Sequence, residues 1–289
     1  MRPHFAYHRP ATVEEACRIL AGEPRAAVLA GGTDLMVHLR QGWRGKRPAT
    51  VVNIKRIPGL AAIEVTDRTI RLGALASLTA LIEHPVIASE YSVLPITAGY
   101  MGSPAIRNLA TVGGNLCNAS PAADLPPVLL ALDAEVGIAG PKGERRLPLR
   151  QFFRGPGQTV LEPGELLVWV EFPRRRPPWP ITYERLDVRR AMDIAIAGAA
   201  LSLRLDGGRV SEARVALCAV APTPLRVRDA EAALVEGGLT DGGIVRAAEL
   251  ATAAARPISD VRATAEYRRE MIATLVWRGL ERLRAGGVS

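Results

Sequence analysis

Lysine is nearly missing from this 289-residue chain: Lys46, Lys55 and Lys142 are the only three, although the formal net charge is +8. The excess is arginine, scattered along the chain with short clusters at Arg174-Arg175-Arg176 and Arg189-Arg190. Aromatics make up only 4% of the residues, and no stretch interleaves them with basic side chains as single-strand nucleic-acid binders do. The charge therefore reads as a solvated, arginine-rich surface, with an acidic ligand or partner as the alternative, and no nucleic acid is expected. Cysteine is as scarce. Cys17, Cys117 and Cys218 lie far apart with no CxxC or Cys/His spacing, which excludes a zinc site or an iron–sulfur cluster built by this chain alone. Three lone thiols fit a reducing compartment. No apolar run approaches the ~20 residues that span a bilayer, and the N-terminal stretch MRPHFAYHRP has no apolar signal region. A cytoplasmic location without a membrane span is expected. His4, His8, His38 and His84 fall in no catalytic pattern with serine or carboxylates.

What is present is the composition of a globular protein, 48% hydrophobic and 23% charged, long enough for more than one unit of ~100–150 residues. Thr12-Val13-Glu14-Glu15 is a capping box that opens a helix through about Leu20. Residues 26–30 read as a short buried strand, 34–41 as a helix and 51–54 as a second strand, a small α/β unit. Residues 70–75 read as a strand before a helix capped by Ser77, and residues 94–135 carry few strand signals. β character returns at 147–151 and 165–172. In the latter Leu167, Trp169 and Glu171 alternate with Leu166, Val168, Val170 and Phe172. The charged, proline-rich break at 173–178 is the expected boundary. Beyond it, 197–205 and 209–219 flank Asp206-Gly207-Gly208 as a hairpin, and two or three helices close the chain. In the last, Met271, Leu275 and Gly279 fall on one line beside Ile272, Val276, Leu280 and Leu283. The fold class expected is α+β, and the tail from Ala285 to Ser289 is expected to be disordered.

Two glycine pairs stand out. In Leu29-Ala30-Gly31-Gly32-Thr33-Asp34-Leu35 the pair directly follows a strand, so the backbone can turn sharply and offer successive amide N–H groups to an anion. The helix beginning near Asp34 adds the positive end of its dipole. Thr111-Val112-Gly113-Gly114-Asn115-Leu116 reads as the same device again and runs on through Ser120 to Asp124. Two such loops could grip a dinucleotide diphosphate from both sides without any lysine. Neither matches GxGxxG, which disfavours a Rossmann site, and no GxxxxGK[ST] loop is present. Each pair alone is compatible with an ordinary turn; the combination with Asn115, Ser120 and Asp124 lifts the signal.

At these residues the sequence resembles the FAD-binding medium subunits of the molybdenum hydroxylases, which include carbon monoxide dehydrogenase and xanthine dehydrogenase flavoproteins. Five ordered motifs span the chain. Phe5-x-Tyr7-x-Arg9-Pro10-x-Thr12-x-Glu14-Glu15-Ala16 resembles the family's opening, and residues 30–35 its first FAD loop. Residues 102–124, from Gly102-Ser103-Pro104-Ala105-Ile106-Arg107-Asn108, are the strongest match. Tyr183-x-Arg185 with Arg189-Arg190-Ala191-x-Asp193-x-Ala195, and residues 256–262 with Glu266-Tyr267-Arg268, resemble the entry and the closing helix of a C-terminal domain. Two departures are noted: Arg185 stands where many relatives have lysine, and the cysteine cluster that some relatives carry is missing.

The resemblance implies a two-lobed FAD-binding domain of vanillyl-alcohol-oxidase/PCMH type at 1–175, with lobes at about 1–57 and 58–175. A smaller α+β domain with an antiparallel sheet and helices follows at 176–289. It implies that Leu29, Ala30, Gly31, Gly32, Thr33, Asp34 and Leu35, together with Thr111, Gly113, Gly114 and Asn115, wrap the diphosphate and ribityl chain. Ser120 and Asp124 would reach the ribityl–flavin region, Leu167 would pack near the ring, and Arg185 would lie at the flavin. Tyr183 is either a ring neighbour or an ordinary strand tyrosine, Asp193 either a flavin contact or an exposed ion pair, and Cys117 a buried thiol without a redox role. The function implied is electron relay: FAD accepts electrons from the [2Fe–2S] clusters of a small subunit, fed by a molybdopterin-containing large subunit, and passes them to a terminal acceptor. A dimer of heterotrimers is the implied assembly. The competing readings are a stand-alone FAD-dependent oxidase, which needs its own substrate cavity and catalytic acid or base, and a subunit that keeps the fold without FAD. Carbon monoxide, purines, aldehydes and N-heteroaromatics remain open as substrates of the complex.

Overall fold

β1 (Ala6–His8) leads into α1 (Val13–Gly22) through Thr12, whose hydroxyl accepts from the Glu15 amide at 3.2 Å. The reciprocal arm comes from Glu15, whose carboxylate accepts from the Ala11 amide at 2.8 Å, one residue ahead of the position a standard capping box uses. β2 (Ala26–Leu29), α2 (Thr33–Gln41) and β3 (Thr50–Asn53) complete a three-stranded parallel sheet in the order β1-β3-β2. Because all three strands run the same way, the segments that follow His8, Leu29 and Asn53 leave from one edge. The structure, a computed structural model, describes residues 5–41, 47–189 and 192–286. His4, Lys46, Arg190, Ala191 and residues 287–289 of the expected tail lie outside the described residues.

β4 (Ile63–Val65) and β5 (Thr69–Gly73) begin an antiparallel sheet that the chain leaves for a run of six helices. These are α3 (Leu78–Glu83), α4 (Pro85–Glu90), α5 (Val93–Tyr100), α6 (Pro104–Arg107), α7 (Val112–Asn118) and α8 (Leu125–Ala131). Ser77 caps α3 by accepting from Ala80 at 3.0 Å. The chain returns through β6 (Glu135–Gly140), β7 (Gly143–Pro148), the small hairpin β8 (Phe153–Gly155) and β9 (Gln158–Thr159), and the central β10 (Leu166–Pro173). The sheet order is β4-β5-β10-β6-β7. The strand expected at 147–151 is corrected. β7 ends at Pro148, which has no N–H to continue a ladder, and Leu149–Gln151 form a single 3-10 turn. The alternation expected along β10 also breaks. A bulge opposite β6 shifts the register between Leu167 and Trp169. Leu167, Val170 and Phe172 face the core beneath the helices, whereas Leu166, Val168 and Trp169 face α1.

From residue 174 the chain crosses to a second antiparallel sheet, β11 (Ile181–Leu186), β12 (Ala197–Asp206), β13 (Arg209–Cys218) and β14 (Leu225–Arg226), paired in chain order. The β12–β13 turn uses Gly207 and Gly208 at φ of 58° and 82°, the left-handed conformation a tight hairpin needs. α9 (Arg228–Gly237), α10 (Asp241–Ala254) and α11 (Ala265–Arg284) cover one face. On α11 the buried positions are Arg268, Ile272, Leu275, Val276, Gly279, Leu280 and Leu283, with Met271 partly buried. Gly279 lets the helix settle onto the sheet: a Cβ there would stand 2.4 Å from Leu201 Cδ1. The closing motif has a structural use. Buried Arg268 donates to the carbonyls of Ile196 and Ala219 and, at 2.7 Å, to Asp260.

The opposite face of this sheet packs on α8, all seven of whose residues are buried. A helix apolar on every side must be enclosed on every side. Here the enclosure comes from α5 and α7 of the first part of the chain and β12 and β13 of the second. Each end of α8 carries a carboxylate reached by arginine from the second sheet. Asp124 precedes it. Asp133, just past it, accepts from Arg214 and Arg175 at 2.7 Å each and from Arg226 at 3.0 Å. The Arg175 guanidinium also lies over the Trp179 ring, 3.7 Å from its centroid.

Leu129→Ala, in the middle of α8 and fully buried, is expected to lower the unfolding free energy by about 2–5 kcal/mol, read from a urea titration. Asp133 supplies a pH test. Burial pushes its carboxyl up, but the hydrogen bonds from Arg214 and Arg226 outweigh that and leave it below the ordinary value. A carboxyl lowered by folding contributes stability above its unfolded pKa and loses it as pH falls through the folded one. Urea midpoints of the wild type should therefore drop below about pH 4. Asp133→Asn should start lower at pH 7 and fall less steeply over that acid range.

Candidate functional site

The edge where β1, β3 and β2 end is where an α/β unit presents ligands to its loops. Ala30 and Gly31 leave β2 there, and Gly32 turns the chain at φ 81° into the first turn of α2. Leu35 is buried in the small core under α2, which anchors the loop, while Asp34 is exposed. Within this stretch the Met36 amide bonds the Gly32 carbonyl at 2.9 Å. The amides of Gly31, Gly32, Thr33, Asp34 and Leu35 find no acceptor among the described residues. Five consecutive unspent donors at a helix N-terminus are the arrangement that receives a diphosphate.

Gly31 also brings the two glycine segments together. A Cβ at Gly31 would lie 1.9 Å from the Leu109 carbonyl oxygen, so only glycine allows this approach of loop 29–35 to the chain entering α7. That chain is fixed by α6, whose Arg107 donates to the carbonyls of Gly99 and Gly102 at 3.2 and 2.7 Å.

The second glycine pair departs from expectation. Gly113 and Gly114 do not form a loop after a strand; they lie in the first turn of α7, capped by Thr111. Their amides are spent, Gly113 on the Ala74 carbonyl at 2.9 Å and Gly114 on the Thr111 hydroxyl at 3.0 Å. The expectation of a second amide cradle is therefore corrected. Poor helix propensity hid α7: glycine is tolerated here because a Cβ at Gly113 would collide with Ala74. What this segment offers instead is Asn115. Its amide group faces the Met101 sulfur at 3.6 Å, and its carbonyl oxygen is buried with no hydrogen-bond partner among the described residues. Such an orphan costs free energy unless a ligand or water satisfies it.

Ser120, partly buried after the left-handed Ala119, accepts from the Ala122 amide at 3.4 Å. Asp124 is buried between the two halves of the chain: Tyr183 donates its hydroxyl to Oδ1 at 2.7 Å, and Arg185 lies at 3.3 Å. Burial pushes the Asp124 carboxyl up, with Arg185 and Tyr183 countering in part. An ionised carboxylate has about four lone-pair sites, so acceptor capacity remains. Arg185 in turn lies over the Tyr100 ring at 4.9 Å and donates to the Asp193 carbonyl at 3.0 Å. Tyr100 and Met101 are consecutive, so the Asn115 region and the Arg185 region adjoin.

Of the open alternatives, Tyr183 is a buried structural partner of Asp124 and of Cys218, whose thiol is pushed up to about 12 by burial. Asp193 pins its own loop, accepting from the Val188, Arg189 and Ile194 amides at 2.8–2.9 Å. Cys117, expected to be buried, keeps accessible surface, yet the protein packed around its thiol pushes it up to about 12. Leu167 is buried in the main core.

One residue was missed. Lys55, just beyond β3, donates from Nζ to the Ala30 carbonyl at 3.0 Å, so the loop has a lysine after all. The only sequence signal was its position two residues past a strand of the parallel unit. Two cavities lie elsewhere. A groove of about 650 Å³ runs between α10 and α11 beside Trp277, and one of about 370 Å³ lies between α1 and the outer sheet face at Trp169. Neither is lined by an expected site residue. No group of histidine, cysteine and carboxylate side chains suited to a metal ion occurs among the described residues, and none of their helices is long and apolar enough to cross a membrane.

Residues 3–175 match the family described as "FAD binding domain in molybdopterin dehydrogenase", and residues 182–283 match "CO dehydrogenase flavoprotein C-terminal domain". The chain is 37% identical to the 6-hydroxypseudooxynicotine dehydrogenase complex subunit alpha of Paenarthrobacter nicotinovorans, covering 96% of this chain and 94% of that one. It is 36% identical to the putative xanthine dehydrogenase FAD-binding subunit of Escherichia coli, covering 93% and 92%. The structure of reconstituted CO dehydrogenase from Oligotropha carboxidovorans superposes with a TM-score of 0.93 at 32% identity, covering 99% of each chain.

The Thr111 cap can be tested without any ligand. Thr111→Ala should cost about 1 kcal/mol in urea unfolding, because the Gly114 amide loses its acceptor.

Proposed function

The chain belongs to the family of FAD-binding medium subunits of the molybdenum hydroxylases, and from that membership we propose how its residues take part in electron relay. Residues 1–175 act as the cofactor-binding unit and residues 176–289 as the C-terminal unit that completes it. The observation that carries the reading is the run of unspent amides from Gly31 to Leu35, held against Leu109 by the glycine contact.

In this reading those amides, with the dipole of α2, receive the diphosphate of FAD. Leu29, Ala30 and Thr33 line the turn, and Asp34 borders it. Thr111, Gly113 and Gly114 act indirectly. They hold α7 so that the orphaned Asn115 oxygen meets a hydroxyl of the ribityl chain. Ser120 and Asp124 accept from the ribityl–flavin side, and Arg185 fixes the Asp124 carboxylate there. Leu167 backs the ring from the core and excludes water. FAD, when bound, supplies the redox chemistry, collecting electrons and releasing them. The relay requires no nucleophile from the protein. A molybdopterin-containing large subunit and a [2Fe–2S] small subunit supply the electrons, in a dimer of heterotrimers. Support for this assembly comes from the relatives' names as subunits and medium chains of dehydrogenases.

The purified chain, incubated with excess FAD and desalted, is expected to keep a flavin absorption spectrum. Gly31→Ala, which forces the loop away from Leu109, should lose it. A chain that retains no flavin, either alone or assembled with its molybdenum and iron–sulfur partners, would sink this reading in favour of a subunit that has lost FAD.

A further inference from the structure

We infer that Lys55 is a diphosphate-binding residue of this chain, a cationic contact added to the amide run of Gly31 to Leu35. The inference rests on the proposed FAD site and concerns a residue outside its two glycine segments. The parallel pairing of β2 with β3 sets Leu29 opposite Asn53, so the residues just beyond them emerge side by side. The Ile54 amide bonds the Leu29 carbonyl at 3.2 Å, and Lys55 Nζ reaches the Ala30 carbonyl at 3.0 Å. The lysine head is therefore placed at the residue preceding Gly31, where the unspent donors begin.

An ammonium has three N–H donors. One is spent on Ala30, and no other acceptor for Nζ occurs among the described residues. Carboxylates do not neutralise it either. The ion pairs of the described residues include none to Lys55, in contrast to Arg145, Arg174, Arg175, Arg185, Arg214 and Arg226, each held by an acid. Partial desolvation lowers the Lys55 pKa, the neighbouring Tyr7 opposes that, and Arg9 lowers it further. A cation in this setting gains from an anionic neighbour what it does not gain within the chain. The loop supplies the place for one, because five amide donors favour negative charge and two donors of Nζ remain for its oxygens. The Ala30 bond also has a steering effect. It holds a long, flexible side chain beside the loop, so less of its rotamer freedom is lost when the ligand arrives.

The test is FAD affinity of the full-length chain stripped of flavin, followed by quenching of flavin fluorescence, in the wild type, Lys55→Gln and Lys55→Arg. Each is titrated in a buffer of low ionic strength and again with 1 M salt, where the screening length falls to about 3 Å. At low salt Lys55→Gln should bind FAD about tenfold more weakly than the wild type, and Lys55→Arg should stay within about threefold. At 1 M salt the gap between wild type and Lys55→Gln should shrink to a fraction of its low-salt size. An equal gap at both salt concentrations would overturn the inference, since it would mean that Lys55 only props the Ala30 carbonyl. Unchanged affinity in Lys55→Gln overturns it as well. A wild-type chain that binds no FAD in either buffer overturns the cofactor site itself and this residue's role with it.

Discussion

The arrangement of this protein depends on one requirement, the complete enclosure of α8. Leu125 to Ala131 contribute no polar side chain and are all buried. A helix of this composition is stable only where packing surrounds it. No single sheet of the chain can do that. The first part supplies α5 and α7, the second supplies β12 and β13, and the helix is the body they share. The carboxylates at its two ends make the fit directional. Asp124 meets Tyr183 and Arg185, and Asp133 meets Arg175, Arg214 and Arg226. Apolar burial provides most of the driving force, while the paired charges set the angle and register at which the second sheet lands. Removing one member of such a pair leaves the other buried and uncompensated.

The proposed cofactor site inherits its geometry from that packing. Asp124 is both the residue before α8 and an expected flavin contact, so the same interactions that seat the helix position the carboxylate. From there Arg185 leads over Tyr100 to Met101 and Asn115, and the segment entering α7 leads through Leu109 to Gly31. Residues of the second sheet, the helical run and the parallel unit thus adjoin in one series of contacts. Its donors and acceptors are sorted. Amides and a lysine gather at the parallel-strand edge, and an orphaned amide oxygen and a buried carboxylate lie toward the second sheet. A dinucleotide with a charged diphosphate and a hydroxyl-bearing ribityl chain has the complementary order.

Local chemistry made several of these features readable before any fold was known. Thr12, Ser77 and the Gly207-Gly208 turn act through neighbours within a few residues, so their partners are in view along the sequence. The first glycine pair was legible for the same reason: strand, turn and helix follow one another directly. The second was misread because glycine disguises a helix, and the reason glycine stands there, the backbone of Ala74, is almost forty positions away. The bulge that separates Leu167 from Trp169 is likewise invisible to a period-two pattern, since it arises from pairing with β6. Least legible were the long-range charges. Nothing near Asp133 announces Arg214 or Arg226, and nothing near Ala30 announces Lys55. Those contacts exist only once two strands have chosen each other as neighbours.

The seating of α8 also bears on the order of events during synthesis. When the ribosome has delivered the first half of the chain, α8 and the two glycine segments have already emerged, but the strands that enclose the helix have not. Until β12 and β13 arrive, one apolar flank of α8 stands open and the acids at its ends lack their arginines. Nascent chains halted in that interval would offer chaperones a short, greasy handle. Asp124 would take up its final position only after the hairpin at Gly207 and Gly208 had closed. With the proposed site, flavin loading would wait for the last third of translation.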